Sequence, residues 1–218
     1  MTRRHWVRWG VLVGIVWASG CNGGGTQPPG PPTNLVTSGG DGQNWYFNNP
    51  LPTPLSVTVL DANGRAVPGV VVTWAVTQGG GGVTPAQSTT NANGVATTSD
   101  SIGSSTLQKV NASVTGLPNA ATLTEAASAP PTTASVAVAD FSFSPTAVVI
   151  QTGGTVTWTW GGAALHNVTY DGGPTPLPTN SGTQATGTHQ NTITTVGRYT
   201  YHCSVHPTQM TGSVTVVH

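Results

Sequence analysis

Near the end of the chain, Tyr201-His202-Cys203-Ser204-Val205-His206-Pro207 is followed by Thr208-Gln209-Met210, so a thiol, an imidazole and a thioether fall within one short loop. A second imidazole, His166, lies upstream in Leu165-His166-Asn167-Val168. Soft thiolate and thioether donors suit Cu(I), and imidazole suits both oxidation states of copper. Two histidines with one cysteine form a trigonal set to which methionine adds a weak axial donor, the combination used by blue-copper electron-transfer sites. His166, Cys203, His206 and Met210 are therefore the candidate ligands of a single type I copper ion. Three residues separate His206 from Met210. A one-residue shift of the loop would bring in Gln209, whose amide oxygen can also act as a long axial ligand, so both stand as axial candidates; the thioether is the better stabiliser of Cu(I).

The remaining groups narrow the chemistry. His202 falls on the opposite face of its strand from Cys203, His189 sits alone in a Thr-rich run, and His218 is the last residue, so none extends the set into a second metal site. A copper oxidase or a nitrite-reducing enzyme needs a further copper site with more histidines, and a dinuclear centre needs two loop cysteines where this chain has Cys203 alone; the chain does not read as an enzyme. A copper-storage or copper-handling module would present clustered methionines, yet the chain has 2 methionines, one of them Met1. Copper handling, or a purely structural surface lipoprotein, stand as the alternatives to a one-electron carrier.

The elements that must hold these ligands are strands. Only 6% of residues are charged, Gly and Pro are frequent, and Val and Thr recur throughout. Branched side chains of this kind suit a pleated, half-buried surface, so the chain reads as all-β. In Gly154-Thr155-Val156-Thr157-Trp158-Thr159-Trp160 the period of two puts Val156, Trp158 and Trp160 on one face and the threonines on the other. The same period in Gly197 to Cys203 groups Tyr199, Tyr201 and Cys203, turning the thiol inward with the tyrosines and His202 outward.

Residues 135–218 as a whole resemble the plastocyanin and amicyanin group of cupredoxins. The likeness rests on the loop Tyr201 to Pro207 with Met210 following, and on Phe143-Ser144-Pro145, Gly154-Thr155-Val156-Thr157-Trp158 and His166-Asn167-Val168 in that order. The resemblance implies a Greek-key β-sandwich, with His166, Cys203 and His206 as equatorial ligands and Met210 as the axial one. It also implies that the backbone of Asn167 donates a hydrogen bond to the Cys203 sulfur, and that His206 reaches the surface through an apolar patch shaped in part by Pro207 and so forms the electron port. Folding should not require the metal, since Trp158, Trp160, Tyr199, Tyr201 and the Val and Ile positions supply a core.

Upstream, residues 33–127 alternate short strands with turn signals: Leu55 to Val59, the turn Asp61-Ala62-Asn63-Gly64, Val70 to Val76, then breaks at Gly79 to Gly82 and at Asn91-Ala92-Asn93-Gly94. Val57 to Val70 together with Thr90 to Ala96 resemble the bacterial Ig-like domains of intimin and invasin type, which implies an Ig-like β-sandwich with a spacer role. No cluster of His, Cys or carboxylates for metal binding or catalysis stands out there. Residues 128–134, rich in small residues and paired prolines, read as a linker.

The first 21 residues carry Arg3, Arg4 and Arg8, an apolar run from Trp9 to Trp17 and Ala18-Ser19-Gly20-Cys21. This is the layout of an export signal. Small residues before Cys21 resemble a bacterial lipoprotein signal, implying that Cys21 is lipidated; an ordinary cleaved signal with an incidental cysteine is the other reading. Thr2 to Val7 loosely resembles a twin-arginine motif. Residues 22–32, glycine- and proline-rich, read as a tether. Without residues 1–20 the chain keeps Arg65, Lys109 and Arg198 against six acidic residues, a balance that disfavours nucleic acid as a partner. The expectation is an extracytoplasmic, membrane-anchored monomer facing the periplasm or cell surface, exchanging electrons with redox proteins.

Overall fold

The structure, a computed structural model, describes residues 27–218; the expected export signal, the lipidation site Cys21 and the first half of the tether lie outside the described residues. Among the described residues the regular structure is β-strand throughout, arranged as two sandwiches, each with its own apolar core.

The N-terminal sandwich packs a sheet of β1 (Pro32–Gly39), β3 (Leu55–Asp61), β7 (Val95–Ile102) and β5 (Gly81–Thr84), in the order β1-β3-β7-β5, against a second sheet. That sheet holds β2 (Asn44–Tyr46), β9 (Ala121–Ser128), β8 (Leu107–Ser113), β4 (Val71–Gln78) and β6 (Gln87–Thr89), in the order β2-β9-β8-β4-β6. Alternation does the sorting: Leu55, Val57 and Val59 are fully buried, and Val72, Trp74, Val110 and Leu123 close the core from the facing sheet. The two Asx-type turns expected from sequence are built alike. Asp61 Oδ1 accepts the N–H groups of Asn63 and Arg65 at 2.8 and 2.9 Å, and Asn91 Oδ1 accepts those of Asn93 and Val95 at 2.9 and 3.1 Å. Gly94 is required in the second: its φ is +69°, and a Cβ there would stand 2.9 Å from the Val59 carbonyl oxygen.

The C-terminal sandwich packs β10 (Thr133–Ala139), β11 (Ser142–Ser144), β13 (Gly154–Trp160) and β15 (Gly187–Ile193), in the order β11-β10-β13-β15, against β12 (Ala147–Gln151), β17 (Thr211–Val217), β16 (Gly197–His202) and β14 (Thr169–Gly172), in the order β12-β17-β16-β14. The pairs β10–β13 and β12–β17 are parallel, which forces the chain to cross between sheets. Val156, Trp158, Tyr199 and Tyr201 are buried, as the period-two reading requires, and Phe143 and Tyr170 meet Tyr201 edge to face at 5.0 and 5.8 Å.

The junction between the sandwiches differs from the sequence reading. Residues 128–134 read as a linker, but β9 runs through Ser128, whose carbonyl accepts the Phe47 N–H, and β10 begins at Thr133. Between them Pro131 and Thr132 accept bonds from Gln151 and Thr155 at 2.7 and 3.0 Å. Small residues do not exclude a strand when both backbone edges find partners. The end of the tether is likewise engaged, because Gly30 N–H donates to Asp61 Oδ2 at 2.8 Å. Across the junction the buried Asn49 side chain clamps the backbone of His218, accepting its N–H at 2.9 Å and donating to its carbonyl at 3.2 Å. Val196, Gly197 and Val217 line the same cleft with Trp45 and Pro50. The contact thus involves the start of β16 and the end of β17, and Cys203 follows the opposite end of β16.

Candidate metal centre

The thiol comes from the end of β16 and one imidazole from the loop that follows it. The Cys203 N–H donates to the Met210 carbonyl at 3.0 Å, and the Cys203 and His206 carbonyls accept the N–H groups of His206 and Met210 at 3.0 and 3.1 Å. The loop is thereby closed into a tight turn whose two ends are the thiol and the thioether. The second imidazole, His166, is pinned by its backbone: its N–H and carbonyl form a two-bond bridge with Gln184, both at 3.0 Å, and Trp160 Nε1–H donates to the same carbonyl at 3.0 Å.

Three donors converge. Cys203 Sγ lies 3.8 Å from His166 Nδ1 and 3.9 Å from His206 Nδ1, and the two Nδ1 atoms are 3.2 Å apart. A point equidistant from such a triangle sits about 2.1 Å from each donor, the length of a metal–imidazole bond and slightly short of a metal–thiolate bond. Cys203, His166 and Met210 are fully buried, whereas His206 is half-buried. Gln209, the rival axial donor, is exposed while Met210 is enclosed in the core. Among the described residues this is the one group of three or more His, Cys, Asp and Glu side chains close enough to share an ion. A soft thiolate beside two imidazoles, with a buried thioether at the far end of the same turn, fits copper by donor chemistry.

Asn167 acts through its side chain. Its Oδ1 accepts the Ser204 N–H at 2.8 Å, and its Nδ2 donates to Ser204 Oγ at 2.7 Å and Thr183 Oγ1 at 3.0 Å. These bonds, rather than the backbone donation to sulfur expected from sequence, are how it ties the His166 segment to the residue after Cys203. His202 points away from the site and pairs through Nδ1 with Asp171 Oδ2 at 2.8 Å. His189 lies apart, its Nε2 3.0 Å from the Thr179 carbonyl oxygen and 3.1 Å from Asn191 Nδ2, and is half-covered beside Trp158.

Two residues at the centre escaped the sequence reading. Asp140 Oδ1 accepts the N–H groups of Ala163 and Ala164 at 3.0 and 2.9 Å and stands 3.4 Å from His166 Nε2. The Ala164 N–H above all, with the His166 ring adding to it, holds the Asp140 carboxyl below its ordinary range. Phe141, at φ +62° and largely exposed, sets its ring edge-on to His206 with centroids 4.8 Å apart. Neither belongs to a ligand motif. The only signal in the sequence was an acid and an aromatic at the turn between two strands.

The fold and the donor set define a cupredoxin preceded by an Ig-like module. Residues 131–217 match the model of copper binding proteins of the plastocyanin/azurin family, and residues 47–127 match that of the bacterial Ig-like domain (group 1). The C-terminal domain is thus similar to the plastocyanin/azurin family of copper binding proteins, and His166, Cys203, His206 and Met210 form a site that fits one type I copper ion. Among solved structures, a novel purple cupredoxin from Nitrosopumilus maritimus is 30% identical, the match covering 38% of this chain and 98% of that one with a TM-score of 0.34. A reduced Cu(I) form of the P52G mutant of amicyanin is 29% identical over 38% of this chain and 81% of that one, with a TM-score of 0.35. The D00-D0 domain of intimin is 18% identical over 43% of this chain and 46% of that one, with a TM-score of 0.34. No curated protein matches the chain.

Proposed function

We propose that this protein is an extracytoplasmic one-electron carrier, held to a membrane through a lipid on Cys21, that exchanges electrons with protein partners and performs no substrate chemistry of its own. The observation that carries the reading is the convergence of His166 Nδ1, His206 Nδ1 and Cys203 Sγ, in a turn that ends at the buried Met210. His166, Cys203 and His206 are the equatorial ligands and Met210 is the axial one. Bound copper supplies a one-electron Cu(I)/Cu(II) couple.

The protein's own part is to keep the donors still. His166 is immobilised by three backbone bonds, Cys203 by the closed turn, and the two segments by Asn167, so the ligand cage changes little when the charge at its centre changes. Burial of all but His206 keeps water from the donors and leaves one imidazole as the route to the surface. Around His206 the surface is apolar: Phe141, Leu165 and Val205 are each about half exposed, and Pro207 is open. Partners dock there through apolar contact, with His206 as the electron port.

A visible spectrum of residues 22–218 titrated with Cu(II), beside Cys203→Ala, tests the assignment. An intense blue thiolate-to-copper band in the wild type, lost in the variant, is the expected result. A colourless wild-type protein that still binds copper would replace this function with copper handling.

A further inference from the structure

The inner face of β9 reads Ala121, Leu123, Glu125, Ala127, and that of β7 reads Ala96, Thr98, Asp100, Ile102. The first series is broken once, by Glu125; the second is broken by Thr98, whose hydroxyl donates to the Pro85 carbonyl at 2.8 Å, and by Asp100. Because the two strands belong to facing sheets, both acids project into the core of the Ig-like sandwich. Glu125 is 1% exposed and Asp100 2% exposed. Both oxygens of Glu125 and Oδ1 of Asp100 are buried without a hydrogen-bond partner.

An ionised carboxylate in that position would lack both water and a counter-charge, and such a group takes up a proton instead. The neighbours supply no cation. Gln108 on β8, directly paired with Glu125, is neutral and spends its amide on Gly79, Gly103 and Ser105. Lys109 follows on the opposite face of β8, β2 brings Tyr46, and β1 and β5 bring no titratable group. Asp41, in the turn before β2, adds negative charge, and Asp61 closes β3 within its own turn. Burial raises the Glu125 carboxyl to about 7, helped by Asp100 and then Asp41, and burial raises Asp100 to about 6.

We propose that Glu125, facing Asp100 across the core, is a proton-binding site of the Ig-like domain that fills as neutral solution becomes mildly acidic and couples the seating of the copper domain to pH. The coupling runs through the strand ends that carry the pair. Leu51 N–H donates to the Asp100 carbonyl at 2.8 Å, and Asn48 and Asn49 exchange bonds with Ile102 at 3.0 Å. Asn49 is the residue that clamps His218. A carboxyl raised by folding contributes stability that is complete below its ordinary range and is lost as pH rises through its folded value. The Ig-like domain therefore weakens as pH rises from about 4 to about 7, and the Asn49 clamp weakens with it.

Glu125 is the single glutamate of the chain, so glutamate labelled with 13C at the side-chain carboxyl reports on it alone in the full-length protein. A titration midpoint near 7 is expected, moving down in Asp100→Asn, with the pH dependence of melting flattened in Glu125→Gln. A midpoint in the ordinary range near ~4.3 overturns the proposal, and so does a midpoint that ignores Asp100→Asn. An ionised Glu125 signal at pH 6 that shifts on adding Ca2+ also overturns it, since a cation would then occupy the place assigned to the proton. The wild-type titration decides the matter even if a variant fails to fold.

Discussion

Replacing Asp140 tests whether the site is organised from beyond its ligands. The carboxylate does two things with one oxygen: it fixes the loop of Ala163 and Ala164, and it stands 3.4 Å from His166 Nε2, where it favours the tautomer that leaves Nδ1 free to face Cys203. Loss of such an outer partner costs about 10–100-fold in metal affinity. Here the lower end applies. The contact to the ring is long, the oxygen is shared three ways, and the Asp140 side chain is 43% exposed, so water screens it. Asp140→Ala should weaken copper binding about tenfold, because it removes both the anchor and the ring partner. Asp140→Asn keeps an oxygen for the two N–H groups and loses only the charge, so it should weaken binding by roughly two- to threefold. Competition of the protein with a chelator of known affinity, followed by the blue band, measures both. Wild-type affinity in Asp140→Ala would refute the reasoning, and equal losses in the two variants would show that the charge, not the loop anchor, is what matters.

Leu165→Lys or Val205→Lys should slow electron transfer to a partner several-fold and leave the spectrum unchanged, because both are exposed apolar side chains next in sequence to the ligands His166 and His206. Between Ser135 and His218 the acids are Asp140 and Asp171 and the base is Arg198, so the wild-type rate should vary by less than about twofold between low and moderate salt, where a steered encounter would fall steeply. Copper at one hundred times its dissociation constant should stabilise the native domain by about 2.7 kcal/mol, raising its melting temperature by roughly 10–20 °C, and should leave Cys203→Ala unmoved. Differential scanning calorimetry with and without copper reads both.

What could be read from sequence was what depends on neighbours in the chain. Trp158 and Trp160 alternate with threonines, and Tyr199, Tyr201 and Cys203 share a face, so a strand's own period places them. The loop from Cys203 to Met210 is short enough for its residue types to declare the chemistry. Asp140 and Phe141 became part of the centre only because β10 lies parallel to β13, with Val138 opposite Trp160, which brings the turn after β10 beside the loop after β13. Nothing local to residue 140 encodes that pairing. Glu125 and Asp100 showed no cluster in the sequence because they are 25 residues apart and are brought together only when two sheets are stacked. The Asn49–His218 clamp spans a separation of 169 residues and lay equally beyond local pattern.

That clamp has a consequence for how often encounters succeed. The Ig-like module is seated where β16 begins, and the thiol follows six residues of extended strand, about 20 Å further on. A partner approaching His206 therefore meets none of the steric shadow that a second domain ordinarily casts over its neighbour. Docking at His206, as proposed, would then be limited by the small sandwich alone, the module adding bulk at the end of β16 remote from Cys203.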